Sequence, residues 1–262
     1  MTNKQPWALI LGASSGFGEA TALELARAGM NIFGVHMDRR DKLERVEELK
    51  QKIHHHGRES YFVNDNATLN DTREESVREL TRLMADPPGT LRVLMHSLNF
   101  ASFHALAGAP EVINRHQLEL TADVMGHSLV YWVQECLRAG LLDRGARIFA
   151  MTGIGGSRAM ANYGPAGAAQ ATLEAYIRQL AVELAPAGIT ANAILAGVTD
   201  TKGLREIPGF EKIMETARQR NPSRRLTQPE DVARCIAALC HPATYWMTGN
   251  TLHVDGGENI AG

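Results

Sequence analysis

Apolar positions in this chain follow two alternating rhythms. Short, nearly continuous apolar runs fall at 7–11, 31–36, 60–63, 91–95, 147–151, 190–194 and 251–254. Between them lie longer stretches whose apolar residues recur every three or four positions. Leu43, Val46, Leu49 and Ile53 form one such stripe. Leu173, Ile177, Leu180 and Leu184 form another. The first rhythm predicts buried strands and the second predicts helices packed on one face. Helices are expected over 19–29, 42–56, through Val77, Leu80 and Leu83, over 117–139, from Tyr163 onward, and over 230–240. Strand and helix in strict alternation predict βαβ units and a parallel sheet with helices on both faces, in one domain spanning 1–262. One segment breaks the rhythm. Residues 201–222 read as helix interrupted at Pro208 and Gly209 between two core elements, which suggests a substrate lid.

Composition narrows the function classes. Hydrophobic residues make up 44% and charged residues 21%, enough for a full core. The net charge of −2 supplies no basic stripe, so nucleic acid is not an expected partner. Cys136, Cys235 and Cys240 have no metal-type spacing and cannot all pair, which fits a reducing compartment. No window approaches the ~18 apolar residues of a membrane span, and no charged leader precedes a long apolar run. A cytoplasmic protein without membrane contact is expected. His54, His55 and His56 point in different directions on a helix and cannot converge on one metal ion.

The candidate chemistry begins at the first strand. Gly12-Ala13-Ser14-Ser15-Gly16-Phe17-Gly18 links that strand to a helix. Glycines in this context let the backbone approach a pyrophosphate, and the helix N-terminus favours its charge. A tight turn without a ligand is the plainer alternative. The second strand runs out at His36, where an acid would bind ribose hydroxyls and repel a 2′-phosphate. Asp38 comes slightly late, and Arg39 and Arg40 follow it. Two guanidinium groups there suit a phosphate and favour NADP, with NAD the alternative.

With this turn the chain resembles the short-chain dehydrogenase/reductase family, and the resemblance covers nearly its whole length. It implies a Rossmann-like doubly wound α/β fold. It places Asp65 and Asn66, after the third strand, where the family seats adenine. It places Val198, Thr199 and Thr201 in the loop that meets the nicotinamide carboxamide and phosphates. Met95-His96-Ser97-Leu98-Asn99-Phe100-Ala101 replaces the common Asn-Asn-Ala-Gly and is similar to the enoyl-acyl-carrier-protein reductase branch. Ser97, Leu98 and Asn99 thereby join the cofactor set. Ser157 through Ala175, Asn221-Pro222 at the lid's end and the closing Leu252–Ala261 match the same branch. The resemblance also implies an acyl-thioester or other small-molecule substrate. It implies a homotetramer joined through the Tyr163 helix and the long helix before it.

Tyr163 is the residue around which this chemistry turns. In the ketoreductases of the family a lysine stands four residues beyond the tyrosine, and in the enoyl reductases seven. This chain has Gly167 and Gln170 there. Met125 falls at the ketoreductase asparagine, and Thr152-Gly153 where its serine would be, so Thr152 holds the remaining hydroxyl. Lysines occur only at 4, 42, 50, 52, 202 and 212, so none on the Tyr163 helix substitutes. Without an ammonium nearby the phenol stays protonated, which suits donation during reduction better than proton acceptance during oxidation. The expected activity is reduction of an enoyl C=C bond, with Tyr163 as donor, Gln170 on the nicotinamide ribose and Thr152 beside them. A ketoreductase and a catalytically impaired NADP binder remain as alternatives. Phe100, Phe103 and Met160 are candidate walls for an acyl chain, or core. His104 and His127 lie on the expected path of a substrate, though a lone His is more often structural.

Overall fold

The computed structural model describes residues 4–261. Seven strands form one parallel sheet in the order β3-β2-β1-β4-β5-β6-β7. They are β1 (Gln5–Leu11), β2 (Asn31–His36), β3 (Ser60–Asn64), β4 (Gly89–His96), β5 (Leu142–Thr152), β6 (Thr190–Ala196) and β7 (Thr251–Val254). Alternate residues of β1 serve opposite layers, as a pleated strand requires. Trp7, Leu9 and Leu11 join one core with Trp132, Leu173 and Ile177. Ala8 and Ile10 join the other with Leu25, Ile53 and Ile236. The first core seats α3 (Asn70–Leu83), α5 (Ser128–Arg138) and α6 (Gly164–Leu184). The second seats α1 (Gly16–Arg27), α2 (Leu43–His55) and α9 (Pro229–Leu239).

Strand order reverses between β1 and β4, which opens a crevice at the carboxyl ends of these strands. The candidate site residues lie on the strand ends and loops on that side or on α6. Three boundaries differ from the periodic reading in ways that matter there. The first helix starts at Gly16, not residue 19, so the glycine turn runs straight into it. The long helix over 115–138 contains a π segment, Asp123–His127, between α4 (Arg115–Ala122) and α5. Strand β5 begins at Leu142 with a register shift against β4, which the short apolar run at 147–151 does not reveal. The proposed lid contains α7 (Lys202–Arg205) and α8 (Phe210–Arg220), separated by Gly209 at φ +76°. Among the described residues no helix is long and apolar enough to cross a membrane.

Candidate active site

The glycine turn is built by close approach of backbone to backbone. Gly12 has φ +84°, and a Cβ there would lie 2.4 Å from the Ser97 carbonyl oxygen. A Cβ on Gly18 would lie 2.0 Å from the Gly12 oxygen. Neither position accepts a side chain without moving main chain. Gly12 and Ala13 N–H both donate to Val35 O, and Ser97 N–H donates to Leu11 O. The turn is thereby pinned to β2 on one side and to the Ser97–Asn99 loop on the other. Ser15 is the N-cap of α1, but its side chain makes no capping bond. The first-turn N–H groups therefore face the crevice without a side-chain acceptor.

At the tip of β2 the structure adds a group that counting along the strand left out of the site. Asp38 Oδ2 lies 3.0 Å from His36 Nδ1. Asn64 clamps the Asp38 main chain, its Oδ1 accepting Asp38 N–H at 2.8 Å and its Nδ2 donating to Asp38 O at 3.1 Å. Burial works to raise the Asp38 carboxyl pKa. Hydrogen bonding to Ser14 and His36, with the charges of His36 and Lys202, outweighs burial and holds it below the usual carboxylate value. A carboxylate thus stands beside Ser14 of the glycine turn. Arg39 and Arg40 are exposed beyond it. Asp65 caps the next turn, accepting from Asn66 N–H and Thr72 Oγ1.

Tyr163 is the N-cap residue of α6, and Gln170 lies on its face two turns on. Gln170 Nε2 donates to the Tyr163 phenol oxygen at 3.2 Å. The glutamine is 7% exposed, and its Oε1 is buried without a partner. Burial raises the phenol pKa above its usual value, opposed only in part by the Gln170 bond. The Tyr163 ring stacks on Phe103 with centroids 5.6 Å apart. The loop Gly153–Gly156 also packs against the ring. A Cβ on Gly155 would sit 2.4 Å from the Tyr163 ring and 2.8 Å from Gln170 Oε1, and one on Gly153 would sit 3.0 Å from Gln170 Nε2. A Cβ on Gly167 would meet the Gly155 oxygen at 2.5 Å, so main-chain packing leaves no room for a lysine there. Met125 is buried against Ala166 and Ala169.

Thr152 Oγ1 donates to Glu174 Oε1 at 2.8 Å, so its proton is committed to a carboxylate on the next turn of α6. Glu174 was missed in the sequence. The signal was available, since Gly167, Gln170 and Glu174 stand four, seven and eleven residues beyond Tyr163 and share one helix face. Ser97 and Leu98 are half-buried beneath the crevice, and Asn99 is exposed at its rim. The start of the 201–222 segment covers that rim. A Cβ on Gly203 would lie 2.2 Å from Asn99 Nδ2, and Thr201 Cγ2 lies 3.5 Å from the Cβ position of Gly16. Thr201 also caps α7, accepting Leu204 N–H. Val198 and Thr199 form the loop beneath, where Thr199 Oγ1 donates to Gly197 O at 3.0 Å. Beside Tyr163 a largely apolar cleft of about 780 Å³ is lined by Leu106, Met160, Gly164, Gly167 and Ala171, with Arg158 among its walls. Phe100 is exposed and outside this cleft, whereas Phe103 touches the tyrosine itself. His104 lines the cleft, and His127 pairs with Tyr176 at 3.0 Å, away from Tyr163.

The profile of the Enoyl-(Acyl carrier protein) reductase family matches residues 12–259. The chain is similar to the enoyl-[acyl-carrier-protein] reductase [NADH] FabI of Escherichia coli strain K12, 32% identical over 168 residues, 64% of this chain and 63% of that protein. It is similar to the enoyl-[acyl-carrier-protein] reductase [NADPH] FabI of Staphylococcus aureus strain MRSA252, 32% identical over 169 residues, 64% of this chain and 65% of that protein. These alignments thus span less than two thirds of either relative. The fold extends further. The crystal structure of the enoyl-[acyl-carrier-protein] reductase (NADH) from Aquifex aeolicus VF5 superposes with a TM-score of 0.83 at 26% identity, covering 99% of this chain and 98% of that one. The matched region holds the glycine turn, the Tyr163 helix and the Val198 loop together. The chain therefore belongs to the enoyl-(acyl carrier protein) reductase family of short-chain dehydrogenases/reductases.

Proposed function

We propose that this protein is an NAD(P)H-dependent reductase of the C=C bond of enoyl thioesters, working with Tyr163 as a neutral hydrogen-bond and proton donor. The observation that carries this reading is the direction of the Gln170–Tyr163 bond. Gln170 donates an N–H to the phenol oxygen, which leaves the phenol O–H free to point at a substrate oxygen. Burial keeps the phenol protonated. Hydride delivered to Cβ is the chemistry that the nicotinamide supplies. Charge then grows on the thioester oxygen, and a preorganised O–H donor there is worth about 2.7–4 kcal/mol by comparison with other oxyanion sites.

The residues present fit a dinucleotide. The first turn of α1 offers uncapped N–H groups to a pyrophosphate. The orphaned Gln170 Oε1 is an acceptor ready for a ribose hydroxyl. Thr152 and Glu174 position the end of β5 against α6. Commitment of the Thr152 proton to Glu174 weighs against the ketoreductase reading, which needs that hydroxyl for the substrate. The named relatives use enoyl-acyl-carrier-protein substrates, and the apolar cleft beside Tyr163 suits the acyl part of such a thioester.

One observation favours a second reading of the cofactor. Arg39 and Arg40 support NADPH, but an ionised Asp38 beside Ser14 would repel a 2′-phosphate and supports NADH. Oxidation of NADH and NADPH should be followed with crotonyl and acetoacetyl thioesters side by side, with binding of both cofactors titrated in parallel. Faster turnover of the enoyl substrate is the expected result. Faster ketone reduction would replace the reading with the ketoreductase, and cofactor binding without turnover would replace it with the binder.

A further inference from the structure

Three segments bordering the site converge on the short turn Asp255–Asn259. Glu258 Oε2 accepts the Val198 N–H at 3.0 Å, from the loop under the lid. Asp255 O accepts Asn221 Nδ2 at 2.9 Å, from the far end of the lid. Asn259 O accepts Arg158 at 3.1 Å, from the loop that leads to Tyr163. The turn is itself locked. Asp255 Oδ1 accepts Gly257 N–H and Oδ2 accepts Asn259 N–H, both at 3.0 Å. Asp255 is 5% exposed and Glu258 6%. The Val198 loop is also gripped from the other side, since Val198 O accepts Thr227 N–H at 3.2 Å. It is seated so closely that a Cβ on Gly197 would lie 2.4 Å from Thr227 Oγ1 and 2.9 Å from Glu258 Oε2.

Glu258 stands out among these contacts. Burying a carboxylate costs desolvation energy that an uncharged side chain would avoid. What it gives in return is a charge-assisted acceptor for one main-chain N–H, stronger than a neutral one. We propose that Glu258 is a positioning residue whose carboxylate fixes the Gly197–Thr201 loop at the crevice, so that dinucleotide affinity depends on the C-terminal turn. The proposal rests on the reductase reading only for the place of the cofactor. Around Glu258 the charged and titratable groups are Asp255 on its own turn, His253 on β7 beside Asp255, Arg220 at the lid's end and Arg158 on the loop before Tyr163. Burial raises the Glu258 carboxyl pKa, with Asp255 adding to the rise and Val198 N–H, Arg220 and Arg158 opposing it. Protonation on acidification therefore removes the charged acceptor earlier than for an exposed glutamate.

The test is equilibrium titration of NADH and NADPH by fluorescence, with wild type, Glu258→Gln and Glu258→Ala compared across pH, and crotonyl-thioester kinetics beside it. Glu258→Ala should raise the Kd and KM of the cofactor about tenfold or more, the scale of one hydrogen bond to a charged group, while kcat changes less than about threefold. Glu258→Gln, which keeps an acceptor oxygen but not its charge, should fall between wild type and Glu258→Ala, the value that acidified wild type approaches. Wild-type affinity should weaken on acidification, and Glu258→Gln should flatten that dependence. Equal affinity in wild type and Glu258→Ala would overturn the proposal. If Glu258→Ala does not fold, an unchanged acid dependence in Glu258→Gln overturns it instead. Failure of wild type to bind either cofactor would defeat the reductase reading, a result distinct from both.

Discussion

The glycines of the β1–α1 turn and those of the loop facing α6 serve opposite ends. At Gly12 and Gly18 the missing Cβ lets main chain meet main chain, which leaves N–H groups of α1 directed outward at the crevice. At Gly153 and Gly155 the missing Cβ is filled by the protein's own Tyr163 and Gln170. The first region is a backbone cradle left open to the crevice. The second is a socket shaped for two side chains, one of them the uncharged Gln170. The contrast teaches that the uncharged residue at 170 is packed into its surroundings and is not a loose surface change. Altering the cradle should therefore disturb binding, and altering the socket should disturb chemistry.

The largest expected effect tests that division directly. Tyr163→Phe should cut enoyl reduction by about 10²–10³-fold, the loss of one oxyanion donor, while cofactor Kd moves less than about threefold. Steady-state kinetics with a parallel fluorescence titration measure both. A Tyr163→Phe enzyme that keeps its turnover would remove the phenol from the mechanism. Gly18→Ala should act in the reverse sense. Its Cβ would press on the Gly12 oxygen, so cofactor affinity should collapse in a protein that also melts earlier. Overpacking of this kind costs about 1–3 kcal/mol, or roughly 3–10 °C in Tm for a chain of this size.

Much of this contrast was legible in the sequence, and the remainder has a physical reason for being hidden. The seven strands, their alternation with helices, and the Gly12–Gly18 turn all follow from local periodicity and turn chemistry. So does the pairing of Tyr163 with position 170, because a helix places residues seven apart on one face. Asp38 could not be recovered by counting along β2. The strand ends at His36, and only the clamp from Asn64 on the neighbouring strand folds Asp38 back beside Ser14. The Gly155 socket was equally hidden, because it depends on how near the loop after β5 approaches α6. The three attachments of the Asp255–Asn259 turn span 34 to 101 residues of sequence and arise only from tertiary closure.

A smaller effect sharpens the contrast at the strand tip. Asp38→Asn removes the carboxylate beside Ser14 without removing its hydrogen-bonding capacity, whereas Arg39→Ala removes a cation. Asp38→Asn should shift the ratio of NADH to NADPH affinity towards NADPH by about tenfold, a single charge–phosphate interaction at partly screened range. Arg39→Ala should shift it the other way and by less, since that side chain is exposed. Titration of both cofactors against each variant measures the ratio. Unchanged ratios in both variants would move the specificity elsewhere.

The subtlest prediction concerns what a lysine would do in the socket. In wild type the Tyr163 phenol must stay protonated to donate, and burial holds its pKa above the usual value. Donor function is therefore present below that pKa and lost only as pH rises through it, so the reduction rate should be flat through neutrality and fall only in strongly alkaline solution. Gln170→Lys brings an ammonium beside the phenol oxygen, which stabilises the phenolate and lowers its pKa. The alkaline limb of reduction should then move to lower pH, while reduction at neutral pH is retained or improved. Oxidation of a saturated thioester, which needs the phenolate as acceptor, should become measurable at lower pH than in wild type. The packing sets the limit of this gain, because the longer side chain must fit between Gly153 and Gly155 in the space that Gln170 now fills. A rate–pH profile in both directions decides the matter. Slower reduction of every accepted substrate by a fully folded Gln170→Lys protein would show that the amide's bond to Tyr163, and not the neutrality of the site, is what the chemistry requires.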